Sequence, residues 1–326
     1  LSKRYAIISI GTNSTRVVLA DVGSSVPHVD LARSIGTRIG EGLRESGELG
    51  EEPMRRTLDA VALHLRAVRG HYVRLFAIAT SALRRATNGE AFKARVEALL
   101  GVPVHVLSGH EEAVASYRGA ITVFGPLHNE ELGVVDVGGG SSEYATGNGA
   151  LPDRTVSCEI GAVRLTEALP LLCGNDGVVD LDTIERAREL ARSALAPIAD
   201  FPKVGHIAFV GGSATTVASL IRGKRTKIDQ YELSRSDLQR ALVRLCALPL
   251  KERKTLAGMK PQRADILPAG IIVLETVLDL IGHDRATATT ADLLLGYLLQ
   301  HDDVAGRPGH DPGWSAHGRS GYTPAY

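Results

Sequence analysis

Three glycine turns, each placed directly after an apolar run, are the features of this chain most suited to chemistry. Near the N-terminus Tyr5-Ala6-Ile7-Ile8-Ser9-Ile10 enters Gly11-Thr12-Asn13-Ser14 and leaves through Arg16-Val17-Val18-Leu19-Ala20. The pattern returns where Leu132-Gly133-Val134-Val135-Asp136-Val137 meets Gly138-Gly139-Gly140-Ser141 and continues into Ser142-Glu143-Tyr144. An apolar strand, a turn of small residues and a returning strand are the grammar of a β-hairpin. Such turns leave backbone N–H groups pointing into one concavity with no Cβ in the way, a nest for phosphate oxygens. In the third, His206-Ile207-Ala208-Phe209-Val210 leads to Gly211-Gly212-Ser213 and a helical run from Val217. Amide donors and the positive end of a helix dipole would meet an anion there. Glycine turns after strands are common and often bind nothing. Three of them, two in matched hairpins, predict a phosphorylated ligand gripped across a cleft.

The elements that must position these turns are those of a two-domain α/β chain. Its 326 residues suffice for two ordinary domains, and 44% hydrophobic residues supply their cores. With 37 basic and 37 acidic side chains there is no global field to draw nucleic acid or a membrane surface. An anion must be held by local arrangement. Cys158, Cys173 and Cys246 are too few and scattered for a zinc site or disulfide framework, which predicts buried thiols in a reducing compartment. No signal segment and no apolar run of membrane-spanning length is read, so a cytoplasmic location is expected.

Helical spacing of Met54, Leu58, Val61, Leu65 and Val68 predicts a helix over 51–69, followed by a strand at 74–79 and a helix around 88–100. After a short strand at 102–107, Ser108 and Glu111 are spaced as a capping box for a helix reaching Phe124. The second hairpin restarts this layout, which predicts an internal duplication: one domain over 1–126 and another over 127–300. In the second half, Asp182 and Ser234 are expected to cap helices, Pro268 to interrupt one over 263–281, and Asp292 to open the last. From His301 onward, glycine and proline with little apolar content predict a disordered tail. His301, His310 and His317 are read as part of that tail rather than as metal ligands.

The matched hairpins, the Gly211 turn and the repeated layout resemble the acetate kinase–sugar kinase–Hsp70–actin superfamily. Within it the chain is similar to the exopolyphosphatase/guanosine pentaphosphate phosphohydrolase family. The likeness extends through Arg38-Ile39-Gly40-Glu41-Gly42-Leu43, Ala79-Thr80-Ser81-Ala82-Leu83-Arg84, Ser108-Gly109-His110-Glu111-Glu112-Ala113, Gly161-Ala162-Val163-Arg164-Leu165-Thr166 and Arg263-Ala264-Asp265-Ile266-Leu267-Pro268. The resemblance implies two duplicated actin-like, ribonuclease H-like domains with a cleft between them, in the short two-domain form. It implies hydrolysis of the terminal phosphate of linear inorganic polyphosphate, or of the 5′ phosphate of guanosine pentaphosphate.

That reaction needs charge neutralised on the terminal phosphate, a water aimed in line and a leaving phosphate held still. The phosphate-binding set expected from the resemblance is Gly11, Thr12, Asn13, Ser14, Arg38, Thr80, Ser81, Arg84, Gly138, Gly139, Gly140, Ser141, Gly211, Gly212 and Ser213. Glu112 is the expected water-activating acid, because the capping box occupies Glu111 and the family pattern places its carboxylate at the second glutamate. The bland alternative for Glu112 is a favourable charge in the first helical turn. Asp136, ahead of its turn, and Glu143, on the returning strand, are the expected ligands of Mg²⁺ or another divalent cation. Ser9 stands where the family's first hairpin usually carries an aspartate, so metal binding is expected to be weaker or to rest on Asp136 and Glu143 alone. Thr290–Gly296 also departs from the pattern, lacking an arginine and a glutamate. These departures keep open a phosphate sensor without turnover, whereas a kinase would need an acceptor-activating aspartate for which no candidate stands out. Arg222, Lys224, Arg225 and Lys227 could form a docking stripe for trailing phosphates or a solvated turn. Pairing of subunits into a homodimer is compatible with all of these readings.

Overall fold

The computed structural model describes residues 3–23, 27–124, 130–175 and 177–305. The expected domain boundary at 126/127, most of the expected tail, and His310 and His317 lie outside these residues. In the N-terminal half, β1 (Arg4–Ile10), β2 (Thr15–Asp21), β3 (His28–Ile35), β4 (Arg74–Ala79) and β5 (Val104–Val106) form a sheet in the order β3-β2-β1-β4-β5. Its helices are α1 (Leu43–Ser46), α2 (Glu51–Val68), α3 (Ser81–Arg85), α4 (Gly89–Leu100) and α5 (Gly109–Phe124). The C-terminal half holds β6 (Leu132–Val137), β7 (Ser142–Gly147), β8 (Arg154–Cys158), β9 (His206–Val210), β10 (Tyr231–Ser234) and β11 (Arg285–Ala288), ordered β10-β11-β9-β6-β7-β8. Around them run α6 (Ala162–Ala168), α7 (Leu181–Leu195), α8 (Gly211–Ile221), α9 (Arg235–Cys246), α10 (Leu250–Arg253), α11 (Leu267–Ile281) and α12 (Leu293–Ala305).

The duplication is visible in the pairing. β1 is antiparallel to β2 and parallel to β4, and β6 is antiparallel to β7 and parallel to β9. Central strands flanked on both sides are buried on both faces, which is why β1 and β6 are near-continuous apolar runs. Each hairpin closes with the same bond: Gly11 N–H donates to the Ser14 carbonyl at 3.0 Å, and Gly138 N–H to the Ser141 carbonyl at 3.1 Å.

Each half lends its last helix to the other's sheet. α5 sets Ala113, Tyr117 and Ala120 against Leu132, Val134 and Ala208 of the second sheet. α12 sets Leu294, Tyr297 and Leu298 against Tyr5, Ile7 and Val18 of the first. The two helices cross at Gly119 and Gly296, whose missing side chains leave room for the opposing backbone: a Cβ on Gly296 would overlap the Ala115 carbonyl, and one on Gly119 the Asp292 carbonyl. α12 continues through Ala305, so His301 is not tail: it stacks on Tyr297, with ring centroids 4.4 Å apart. An apolar surface beneath the helix carries it past the point where composition turns polar.

Local signals were resolved with some displacement. Ser234 caps α9 in a complete capping box with Asp237, as expected. α7 is capped not by Asp182 but by Asp180, which accepts from Thr183 N–H at 2.7 Å; Asp182 is one of the exposed residues of the first turn. Asp180→Ala should lower stability by about 1 kcal/mol in a thermal melt, against a change within ~0.5 kcal/mol for Asp182→Ala. Pro268 stands in the first turn of α11 and starts that helix rather than interrupting it.

Candidate active site

The two hairpin turns meet tip to tip between the sheets. A Cβ on Gly139 would lie 3.0 Å from Thr12 Cβ and 3.2 Å from Asn13 N. One on Gly140 would lie 2.7 Å from Ser81 Oγ and 2.9 Å from Thr12 Oγ1. Residues 11–14, 80–81 and 138–141 are thus one cluster, and glycine is what lets the backbones approach. Buried within it, both amide atoms of Asn13 and the hydroxyl of Ser81 have no hydrogen-bond partner among the described residues, and neither has the Ser213 hydroxyl at the third turn. Buried polar atoms are normally satisfied, so Asn13 and Ser81 in this cluster, and Ser213 at the third turn, suit a ligand rich in hydrogen-bonding oxygens.

α5 delivers the acids. Ser108 N–H donates to Glu111 Oε2 at 2.7 Å and Glu111 N–H to Ser108 Oγ at 3.2 Å, the reciprocal capping pair expected from the sequence. Burial pushes the Glu111 carboxyl up, but His105 and the Ser108 bonds outweigh it and bring it down to about 2. Glu112 turns inward instead, 5% exposed, with Arg84 Nη1 donating to its Oε1 at 2.5 Å. Gly109 presses against Ser157, where any side chain would overlap, and this closeness brings the start of α5 onto β8. Ser157 in turn donates to Glu143 Oε1 at 2.8 Å. Asp136 and Glu143 face each other in register across β6 and β7, and Asp136 Oδ2 accepts from Ser116 of α5 at 2.7 Å.

The buried carboxyls of Glu112 and Glu143 and the half-buried one of Asp136 therefore lie close enough to repel one another. Burial, opposed in part by Arg84 and reinforced by Asp136, pushes Glu112 up to about 7. Burial likewise pushes Asp136 up to about 6, and burial with repulsion from Glu112 and Asp136 pushes Glu143 up. The hydrogen bonds drawn to Asp136 and Glu143 come from serine hydroxyls, leaving acceptor capacity on both. That donor chemistry suits a divalent cation. Among the described residues no three His, Cys, Asp or Glu side chains form a ready-made metal cluster. Mg²⁺, which takes one or two carboxylates and completes its shell with water and phosphate, fits such a pair.

The third turn is arranged differently from its sequence reading. α8 begins at Gly211 itself, so Gly211, Gly212 and Ser213 are its first turn rather than a loop preceding Val217. Gly211 holds φ +84, and a Cβ there would lie 2.5 Å from Asp136 Oδ1; a Cβ on Gly212 would overlap the Arg263 guanidinium. These glycines also make room for Asp136 and Arg263 at the start of α8. Arg38, expected to be free for phosphate, sits at φ +50 and pairs across the halves with Asp265, Nη1 to Oδ2 at 2.6 Å and Nη2 to Oδ1 at 2.7 Å.

Sequence reading missed a basic cavity of about 320 Å³ beside Gly211, lined by Arg16, Arg33, Lys227, Lys260 and Arg263 together with Asp292. Arg16 lies opposite Ser9 on the hairpin and pairs with Asp292 at 2.6 Å. Burial and the neighbouring arginines lower Lys260 to about 8 and Arg263 to about 10, as expected where cations are crowded together. Of the basic run after α8, only Lys227 lines this cavity; Arg225 donates to the Met259 carbonyl and Arg222 lies over the Tyr231 ring. Five cations from distant parts of the chain leave no shared local signal. Lys227, in the basic run already read as a possible docking stripe, and Arg16 on the strand leaving the first turn were the local hints.

Two α/β halves of repeated topology, exchanged last helices and facing glycine turns define an actin-like two-domain fold, with the candidate site where the turns meet. The Ppx/GppA phosphatase family matches residues 17–297. The chain belongs to that family and is an enzyme of the hydrolase class. Exopolyphosphatase 2 of Mycobacterium tuberculosis (strain H37Rv) is 33% identical over 318 residues, covering 91% of this chain and 98% of that one. The guanosine-5′-triphosphate,3′-diphosphate pyrophosphatase of Photobacterium profundum is 29% identical, over 94% of this chain and 62% of that one. Among solved structures, an exopolyphosphatase from Cytophaga hutchinsonii superposes with a TM-score of 0.82 at 27% identity, covering 93% of this chain and 98% of that one. Among the described residues no helix is long and apolar enough to cross a membrane.

Proposed function

We propose that the protein hydrolyses the terminal phosphoanhydride of linear inorganic polyphosphate. The observation that carries this reading is the cluster of opposed turns with unpartnered Asn13 and Ser81 beside the acids Glu112, Asp136 and Glu143, since phosphate oxygens would complete the former while the latter prepare water. In this reading the turn amides, Thr80 and Ser81 hold the terminal phosphate. Glu112 takes a proton from water, and Arg84 keeps its carboxylate oriented and is close enough to share the phosphate charge. Asp136 and Glu143 would hold Mg²⁺, which when bound supplies positive charge to the phosphate oxygens. The cation-lined cavity beyond Asp136 accommodates the phosphates that trail behind. The length-spanning likeness to an exopolyphosphatase supports the same substrate.

Guanosine pentaphosphate is the second reading, favoured by the pyrophosphatase relative and by a cavity whose cations would suit a 3′-diphosphate equally. Phosphate release from each substrate, assayed side by side with Mg²⁺, decides between them; release from neither would remove both. Asp136→Asn should cut the rate at fixed Mg²⁺ by roughly 100-fold and shift the Mg²⁺ titration to higher concentration. An unshifted titration would take Asp136 out of the metal site. The double variant Arg33→Gln/Lys227→Gln should raise KM severalfold for polymers of tens of phosphates and little for tripolyphosphate, since only long chains reach the cavity. Equal effects at both lengths would separate the cavity from the substrate path.

A further inference from the structure

Beside Glu112, three arginines from both halves of the molecule converge on one carboxylate. Arg84 and Arg85 come from α3 of the first half, and Glu159 and Arg164 from the β8–α6 segment of the second. Glu159 pairs with Arg164, with Arg85 Nε at 3.4 Å and with Arg84 Nη2 at 4.0 Å. The arginine side chains are between 24% and 32% exposed, whereas Glu159 is 50% exposed, at the open side of the group. Counting Glu112, to which Arg84 also donates, three guanidiniums face two acids, so displacing Glu159 leaves two positive charges for an incoming anion at partly desolvated positions. Their planar forks present more N–H donors than two carboxylate oxygens can accept.

We infer that Arg84, Arg85 and Arg164 form a binding site for inorganic phosphate, in which Glu159 occupies the anion's place until phosphate displaces it. A phosphate dianion matches the excess charge and offers four oxygens where the carboxylate offers two. Arg84 links the site to the reaction, because it also donates to Glu112 at 2.5 Å. The basic cavity, by contrast, adjoins Asp136 through Arg263 and Gly211. The two cationic groups thus flank the acids, one suited to the polymer that remains and the other to the phosphate that departs. The anion's identity as the reaction product rests on the proposed hydrolase reading. The site itself does not.

The test is a calorimetric titration of the full chain with orthophosphate alone, without polymer and without turnover. Arg164→Gln should weaken binding about tenfold and Arg164→Lys markedly less, while Glu159→Gln, which removes the competing acid, should tighten it about fivefold. Lys227→Gln, in the basic cavity, should leave it unchanged. Loss of binding in Lys227→Gln with none in Arg164→Gln would place the phosphate in the cavity and overturn the assignment. An unchanged constant in Glu159→Gln would also overturn it. Circular dichroism melts of each variant separate misfolding from lost binding, and Glu159→Gln keeps the test open because a gain in affinity cannot arise from unfolding. If phosphate binding follows Arg164 in a protein that releases none from polyphosphate, the site stands and the hydrolase reading falls.

Discussion

Glu112→Gln should lower kcat for phosphate release by roughly 1,000-fold while leaving KM within about threefold of the wild type. The amide keeps the size of the side chain and can still accept from Arg84, so the turns and the cavity are undisturbed. It cannot accept a proton from water. The ionisation behind this prediction also fixes the pH profile. Burial holds Glu112 protonated up to about 7 and Asp136 up to about 6, and in the proposed reaction both must be ionised. Activity should therefore fall on acidification, first as Glu112 takes up its proton below pH 7 and more steeply as Asp136 follows. A flat rate between pH 6 and 8, or a Glu112→Gln enzyme within tenfold of the wild type, would return Glu112 to a merely structural place in the first turn of α5. Because the acids interact, the profile reports the group rather than any one member.

Gly296→Val should destabilise the fold by several kcal/mol and sharply reduce soluble expression. At the crossing of α5 and α12 a Cβ on Gly296 would overlap the Ala115 carbonyl and lie 2.6 Å from Gly119 N. Both obstacles are backbone, so no rotamer change relieves the clash and the helices must separate. Separation strips α12 from Tyr5, Ile7 and Val18 and α5 from Val134 and Ala208, opening the cores that join the halves. It also carries Glu112 and Ser116 away from Glu143 and Asp136, so the residual protein should lose activity beyond its loss of stability. Gly282→Ala is the control: at φ +70, with open space around it, alanine meets backbone strain but no neighbour and should cost only about 1 kcal/mol. Equal melting of the two variants would show that the crossing tolerates a wider spacing.

What the sequence by itself determined is the part of the molecule written in contiguous residues. The hairpins, their glycine turns and the Ser108–Glu111 cap, which leaves Glu112 free of capping, follow from residues a few positions apart, whose interactions are set by backbone periodicity. Repetition of that local grammar carried the duplication, and motif order carried the family. The tertiary structure decided what depends on packing between segments far apart in the chain. No spacing announces that Arg38 is held by Asp265, that Arg263 lies on Gly212, or that Arg16 and Lys260 share a cavity. α12 runs past His301 because Phe76 and Tyr297 lie against that ring, a surface invisible to composition. The raised carboxyls of Glu112, Asp136 and Glu143 likewise arise only when two strands and a helix bury these acids and bring like charges together.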